Sequence, residues 1–219
     1  MSMDDARKIF RPWLESNGMR STKRKNIFFE DKGIFLITLE LQPLYDWGFF
    51  VNMAVKFMWS SDQLSYDYEY KNGRINSKHP LGAVMFDSPT FDDDIAYMQS
   101  KTVERINEYR EHSDFNILEA RLSTRDDFIA ISNEGYAERD IDLANVRMIM
   151  GKVEEAKSLY INAANHKYPD RFAQELISEN FDKNFFDERM LQIINENREG
   201  LSRNLKIKLE SIDSFGYIK

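Results

Sequence analysis

The chain has 219 residues, of which 42% are hydrophobic and 31% charged, a balance typical of globular domains. It contains no cysteine, which excludes disulfides, thiolate zinc sites and cysteine nucleophiles. Its formal net charge of −7 argues against a nucleic-acid-binding protein, because such proteins present a basic surface to phosphates.

The N-terminal residues lack the apolar stretch of a signal peptide, so we expect a cytoplasmic protein. The most apolar windows, residues 33–41 and 48–59, are too short or are interrupted by Asn52 and Lys56. A membrane-spanning helix needs about 20 apolar residues. We therefore expect no association with a membrane.

Apolar residues at helical spacing predict an amphipathic first helix over residues 3–17. Asn17 and Gly18 are residue types that commonly end a helix. Pro12 lies within the pattern, so the helix either kinks there or begins there.

After a basic stretch the hydrophobic period changes from 3.6 to 2 residues, which predicts strands. The predicted strands cover residues 27–29, 34–41, 49–59 and 64–70, with turns at 31–33, 43–48 and 72–73. Short turns between consecutive strands predict an antiparallel meander, and the first helix is expected to cover one of its faces.

Residues 75–86 are ambiguous, with a short strand at 83–86 as one interpretation. Asp87-Ser88-Pro89 then opens a long helix, and the three aspartates at 92–94 favour its first turn through the helix dipole. One stripe of this helix is apolar and consists of Phe91, Ile95, Met98, Thr102, Ile106 and Tyr109.

Strand signals almost vanish after about His112. Residues 115–131 predict a helix followed by an extended piece. Further helices are predicted at residues 142–150, 152–165, 170–179, 184–197 and 200–212. The expected fold class is therefore α+β, with an α+β meander domain over residues 1–112 and an all-helical domain over residues 113–219.

Two segments resemble known families. Residues 146–164 resemble the centre of a tetratricopeptide repeat, in which Gly151 turns between two helices and Ala156, Tyr160 and Ala163 pack the seam. No second copy occurs at the expected period of about 34 residues, so the resemblance implies a single helical hairpin.

The N-terminal half resembles the bacterial domain of unknown function 4304 family, whose pattern is a proline-containing helix, a glycine that ends it, a basic loop and strands. The matching residues are Arg11-Pro12-Trp13-Leu14, Asn17-Gly18-Met19, Lys23-Arg24-Lys25, Phe28-Phe29 and Val51-Asn52-Met53. Met19 stands where that family usually has an aromatic residue. The family has no settled activity, so the resemblance implies a fold and no chemistry.

Three groups of residues are candidates for binding. The basic loop, which we define as Arg20, Lys23, Arg24 and Lys25, could hold a phosphate or an acidic partner, or could be a solvated loop. Asp67 and Glu69 share the polar face of the predicted fourth strand, where paired carboxylates could run acid–base chemistry or hold a cation. Tyr45 and Trp47 in the turn at 43–48 are the aromatic candidates.

No catalytic motif is present: the sequence has no Gly-rich phosphate loop, nucleophile elbow or His-Glu-x-x-His. His79, His112 and His166 lack partners at metal-ligand spacing, and surface roles are expected for all three. For His112 we expect a cationic ring near a helix end. No catalytic residue, metal or cofactor is expected.

These observations favour a non-enzymatic bacterial protein-binding module, specifically an immunity-type protein that neutralises a toxin partner. The acidic charge and the aromatic-rich sheet with a polar outer face are compatible with a protein interface. The alternative is an enzyme that handles a small molecule or nucleotide in a pocket between the meander and the long helix, using Asp67, Glu69 and the basic loop. A third hypothesis is a scaffold that self-associates through its helical tail; the oligomeric state does not follow from the sequence.

Overall fold

The computed structural model describes residues 1–60, 73–124, 133–165 and 170–216, with the backbone only for residues 133–139. Within these ranges one antiparallel sheet follows a first helix, and the rest of the chain is mostly helical, which confirms the α+β class. The strands are β1 (Arg20–Ser21), β2 (Ile27–Asp31), β3 (Phe35–Leu44), β4 (Gly48–Phe57), β5 (Arg74–Ile75) and β6 (Val84–Met85). The helices are α1 (Met3–Ser16), α2 (Phe91–Arg110), α3 (Phe115–Ser123), α4 (Asn133–Ile149), α5 (Val153–Ala164), α6 (Arg171–Ser178) and α7 (Lys183–Leu205).

Helix α1 begins at Met3 because Ser2 caps it. The Ser2 hydroxyl accepts the Asp5 backbone N–H at 3.4 Å, and the Asp5 carboxylate accepts the Ser2 backbone N–H at 3.1 Å. The helix continues through Pro12, so the alternative that it begins at Pro12 is wrong. Proline has no backbone N–H, so the carbonyl group one turn earlier in the helix lacks its usual donor. Pro12 is exposed, and water can therefore hydrate this carbonyl group. The chain turns after the helix at Gly18, whose φ is +89°, as predicted.

The hairpin of β3 and β4 forms the centre of the sheet and pairs along the full length of both strands. On the other side of β3, the predicted turn joins it to β2, and the Asp31 carboxylate accepts the Gly33 N–H at 2.9 Å. The clean period of 2 at residues 49–59 is observed as β4. These elements confirm the predicted meander over the described strands.

The predicted fourth strand, residues 64–70, lies outside the described residues. Two later strands, β5 and β6, both pair with β4 along the edge that does not contact β3. β5 pairs with Val51 and Asn52, and β6 pairs with Gly48 and Phe49. The short strand at β6 lies within residues 83–86, where the sequence offered a strand as one interpretation.

One face of the sheet carries Phe35 and Phe49 and is covered by helices. Phe10 of α1 packs edge-on against Phe49, with ring centroids 5.6 Å apart, and the ring of His112 lies 6.3 Å from that of Phe35. His112 belongs to a 3₁₀ turn at Glu111–Ser113 that follows α2. All six residues of the predicted apolar stripe of α2 are buried: Phe91, Ile95, Met98, Thr102, Ile106 and Tyr109.

The last helices of the chain differ in their bounds from the predicted ones. The predicted helix at residues 184–197 is present within α7. The predicted break before Gly200 and a helix as far as residue 212 are wrong, because α7 runs through Gly200 and ends at Leu205, followed by Lys206 with φ of +52°. Gly200 is buried, and tertiary packing there outweighs the low helix propensity of glycine. The following segment folds back along α7, and Asn195 exchanges two hydrogen bonds with the backbone of Ile212. No helix in the described ranges is both long and apolar enough to cross a membrane.

Helices α4 and α5 form a hairpin that turns at Gly151, whose φ is +78°. Ala156, Tyr160 and Ala163 are buried in the tail, and the Tyr160 hydroxyl donates to the Asn145 side-chain oxygen at 2.6 Å. The helical hairpin that the repeat resemblance implies is therefore present. The resemblance itself stays a prediction.

Polar contacts join the sheet to the tail. The Trp59 indole N–H donates to the Asp142 carboxylate at 2.7 Å, and the Asn197 amide donates to the Met58 carbonyl at 2.9 Å. These contacts cross the predicted boundary between residues 112 and 113. The division into two domains stays a prediction.

The strongest of these contacts is a buried ion pair. The Arg198 side chain is 1% exposed, and its two terminal nitrogens donate to the two carboxylate oxygens of Asp31 at 2.8 and 2.7 Å. The guanidinium also donates to the backbone carbonyls of Gly33 and Glu210, both at 2.6 Å. A guanidinium satisfied in this way can be buried, because every side of its planar fork meets an acceptor.

His112 is buried, so the expected surface role for this residue is wrong. Arg121 Nη1 lies 2.8 Å from His112 Nε2 and must be the donor, since a guanidinium has no acceptor. Burial lowers the pKa of His112 to about 3, and the neighbouring Arg121 charge also lowers it. The ring is therefore neutral at pH 7 and does not act as a cation at the helix end.

Breaking the buried ion pair is expected to destabilise the protein strongly. Arg198→Ala removes the buried partner of the Asp31 carboxylate and leaves only the more distant, half-exposed Arg20 at 3.8 Å, so we expect the free energy of unfolding to fall by about 3 kcal/mol. Urea unfolding followed by circular dichroism measures this loss. Lys208→Ala is the matched control, because it removes an exposed ion pair with Glu210 and should leave the urea midpoint nearly unchanged. Equal midpoints for both variants would contradict the assigned role of Arg198.

Acidification is expected to destabilise the fold through His112. The folded-state pKa, about 3, lies below the unfolded value of 6.5, so between these values the unfolded chain binds a proton that the folded chain does not. The free energy of unfolding should therefore fall by about 2 kcal/mol from pH 7 to pH 5 through this residue. His112→Gln should remove that part of the pH dependence in urea titrations. An unchanged pH dependence in the variant would refute the assignment.

Candidate functional site

The candidate site lies at the tip of the β3–β4 hairpin. Three residues, Tyr45, Asp46 and Trp47, connect the strands. Tyr45 is 84% exposed and Trp47 is 63% exposed, and no other aromatic side chain in the described ranges is as exposed. Large aromatic side chains normally contribute to a core, so an exposed pair on one turn indicates a contact surface.

The backbone around this turn is tightly held. The Trp47 N–H donates to the Leu44 carbonyl at 3.1 Å, and the Trp47 carbonyl accepts the Phe86 N–H at 2.8 Å. At the base of the turn, a Cβ on Gly48 would collide with the carbonyl oxygen of Val84, so only glycine allows this close approach of β4 and β6. The tip is therefore positioned by hydrogen bonds from two strands.

Tyr45 adopts a left-handed backbone conformation, with φ of +47°. This region is unfavourable for a residue with a Cβ, by about 1 kcal/mol or more. A tyrosine at this position is strained and also exposed, so neither local conformation nor core packing accounts for it. Strain of this kind is often retained at functional sites.

A pocket of about 390 Å³ opens beside Trp47, on the side of the hairpin that faces β6. Its lining combines apolar side chains with two exposed carboxylates and consists of Met1, Asp46, Trp47, Met85, Phe86 and Asp87. Among the residues that the structure describes, no side chain or backbone group forms a hydrogen bond or an ion pair with the carboxylates of Asp46 and Asp87. We call these six residues together with Tyr45 the tip surface.

A polar cluster lies on the outer face of the sheet, next to the hairpin end. The Asn52 amide donates to the Gln42 side-chain oxygen at 2.8 Å, and Arg74 donates to both residues at 3.2 and 3.3 Å. The Arg74 guanidinium also lies 3.8 Å from the centroid of the Phe50 ring. This part of the outer face is polar and already satisfied by groups of the chain.

Residues 23–25 of the basic loop lie at the same end of the sheet, next to Asn26. The Leu41 N–H of β3 donates to the Asn26 carbonyl at 2.9 Å, and the Asn26 side-chain amide donates to the Leu41 carbonyl at 3.2 Å. Within the basic loop, Arg20 packs 4.7 Å from the Phe29 ring centroid, and its guanidinium lies 3.8 Å from the Asp31 carboxylate. Lys23, Arg24 and Lys25 are exposed. The loop borders β2, whereas the pocket borders β6, so the structure places them on opposite sides of the hairpin. Asp67 and Glu69 lie outside the described residues.

A second pocket of about 390 Å³ lies between the β5–β6 connection and the start of α2 and is lined by Lys78, His79, Pro80, Thr90, Asp93 and Asp94. Three of its polar side chains bond within the chain: His79 Nδ1 accepts the Leu81 N–H at 3.2 Å, and the Thr90 hydroxyl donates to the Asp94 carboxylate at 3.0 Å. In the described part of the chain no cluster of acidic and histidine side chains could hold a metal. The basic loop does not contribute to this pocket.

Sequence patterns point to Tyr45 and Trp47 but not to the rest of the tip surface. Asp46 lies between them, yet the chemistry of a lone turn aspartate is not distinctive. Phe86 and Asp87 are about 40 residues further along the chain and reach the turn only through the pairing of β6 with β4. No pattern in the sequence gives that register.

Comparison of the chain with protein-family models, with curated proteins and with solved structures yields no match. Both family resemblances of the sequence therefore stay predictions.

Proposed function

We propose that the chain is a protein-binding module that contacts its partner through the tip surface. One observation carries the proposal: the two most exposed aromatic side chains in the described ranges, Tyr45 and Trp47, occupy one rigidly held turn. Tyrosine and tryptophan are the residues most often found at the energetic centre of protein interfaces. A turn already ordered in the free protein loses little conformational entropy on binding.

The specific proposal is an immunity-type bacterial protein that neutralises a toxin. The net charge of −7 and the two acidic side chains of the tip surface support a basic partner. Charge complementarity accelerates encounter between proteins and disfavours partners with the same sign. Such a module requires no catalytic residue of its own.

The alternative enzymatic function stays a prediction. The second pocket occupies the region between the sheet and the long helix in which that function was expected. Among the described residues its lining includes none of the basic loop, and its histidine and one of its aspartates are engaged in hydrogen bonds that order the local backbone and the start of α2.

Trp47→Ala tests the proposed function. The partner to be tested is the protein encoded by the gene adjacent to that of this chain. We expect Trp47→Ala to weaken binding to this protein by about 2 kcal/mol or more, because an interface tryptophan contributes at this level. Isothermal titration calorimetry with the two purified proteins measures the change. Ile177→Ala is the control, since Ile177 is 40% exposed but lies on α6 in the helical tail.

Two results would contradict the proposal. The first is that the wild-type chain and this gene product form no complex at micromolar concentrations. The second is that Trp47→Ala and Ile177→Ala reduce the affinity equally. Growth of cells that produce the same gene product, with and without the chain, tests the immunity hypothesis separately.

Tyr45→Gly is expected to separate binding from stability. Glycine relieves the left-handed strain but adds entropy to the unfolded chain, so the free energy of unfolding should rise by up to about 1 kcal/mol or stay unchanged. The affinity for the partner should nevertheless fall about tenfold, because the exposed ring is lost. Thermal unfolding and calorimetry on the same preparation give both values. A variant that loses stability and affinity together would show that Tyr45 serves the fold.

A further inference from the structure

We propose that the pocket beside Trp47 receives an arginine side chain of the partner protein. This inference rests on the proposed function and assigns the chemistry of the partner's anchoring residue. The pocket offers an apolar lining from Trp47, Met85 and Phe86 and two carboxylates, Asp46 and Asp87. An arginine has the complementary parts: an apolar stem of three methylene groups, and a planar cation with five donors.

The charged and aromatic groups of this pocket have no cationic partner within the described residues. No lysine or arginine forms an ion pair with Asp46 or Asp87, and none stacks on the Trp47 ring. Among the described residues that line the pocket, the terminal ammonium of Met1 is the one cation. Its nitrogen lies 3.5 Å from the Phe86 carbonyl oxygen and forms no ion pair with either carboxylate.

Elsewhere in the same sheet the chain supplies the arginine itself. Arg74 stacks on Phe50 at 3.8 Å while it donates to two polar side chains, and Arg20 stacks on Phe29 at 4.7 Å beside the Asp31 carboxylate. Both sites combine an aromatic face with oxygen acceptors. The pocket beside Trp47 has the same combination but receives no arginine from the described residues, which favours an arginine supplied by another molecule.

Arginine fits this chemistry better than the other charged side chains. A guanidinium is planar and weakly hydrated, so it can stack on an indole while its edge donates to carboxylates. A lysine ammonium is compact and strongly hydrated, and it loses more hydration at an aromatic face. Carboxylate or phosphate groups would be repelled by Asp46 and Asp87.

The test uses three capped tripeptides and the full chain. The probes are acetyl-Gly-Arg-Gly-amide, the corresponding lysine peptide, and the citrulline peptide, which keeps the shape of arginine but has no charge. Each is titrated at low salt while the indole N–H signal of Trp47, assigned with Trp47→Phe, is followed by NMR. We expect a saturable shift with the arginine peptide, about fivefold weaker binding of the lysine peptide, and no saturation with the citrulline peptide.

A second experiment removes the two negative charges of the pocket. The double variant D46N/D87N should bind the arginine peptide about tenfold more weakly, since each exposed ion pair contributes a few-fold. E188Q/E199Q is the matched control, because it removes two exposed carboxylates of α7 and changes the net charge equally. This control should keep the wild-type affinity.

The proposal is overturned by any of three results: no saturable shift with the arginine peptide, equal binding of the lysine peptide, or undiminished binding by D46N/D87N. If any of these occurs while Trp47→Ala still weakens binding of the protein partner, the arginine assignment fails and the proposed function stands. If the arginine peptide binds as expected but the adjacent gene product does not, the site chemistry is supported and that partner is wrong.

Discussion

The buried ion pair between Arg198 and Asp31 is the constraint on which the arrangement of the sheet and the tail depends. Arg198 belongs to the last long helix, and Asp31 ends the second strand. The same guanidinium holds the backbone at Gly33 and Glu210. Because a buried charge is unfavourable without its partner, the β2–β3 turn, helix α7 and the segment after it are held together. Residues near the C-terminal end of the sequence thus hold the turn between two strands of the N-terminal sheet.

This constraint also fixes one end of the hairpin whose other end carries Tyr45 and Trp47. Strand β3 runs from the turn that Arg198 anchors to the turn that carries Tyr45 and Trp47. Its ten residues span about 33 Å in extended conformation. One end of the hairpin is therefore packed in the protein, while the other end projects its aromatic side chains. The projecting end is held to β6 by the close approach of Gly48 to Val84.

Local sequence patterns predicted most of the helices and strands, but they did not predict which residues tertiary packing buries. The period-2 runs gave β3 and β4, and the stripe from Phe91 to Tyr109 gave the buried face of α2, because side-chain spacing reflects local geometry. Gly200 was misread as a helix boundary, since glycine has low helix propensity and its burial is a tertiary property. The expectation that His112 is a surface cation fails for the same reason: its neutral state follows from burial, which lowers its pKa, and in addition from the neighbouring Arg121 charge.

The sequence by itself determined the α+β class, the order of the main elements and the two aromatic residues of the central turn, all of which depend on residue type and local spacing. Only the tertiary structure decided which charged side chains are buried and which stay exposed. Asp31 and Asp87 are the same residue type, yet one is enclosed by Arg198 and the other borders an open pocket. The difference arises from strand register and helix packing, which bring together residues that are far apart in sequence and leave no local pattern.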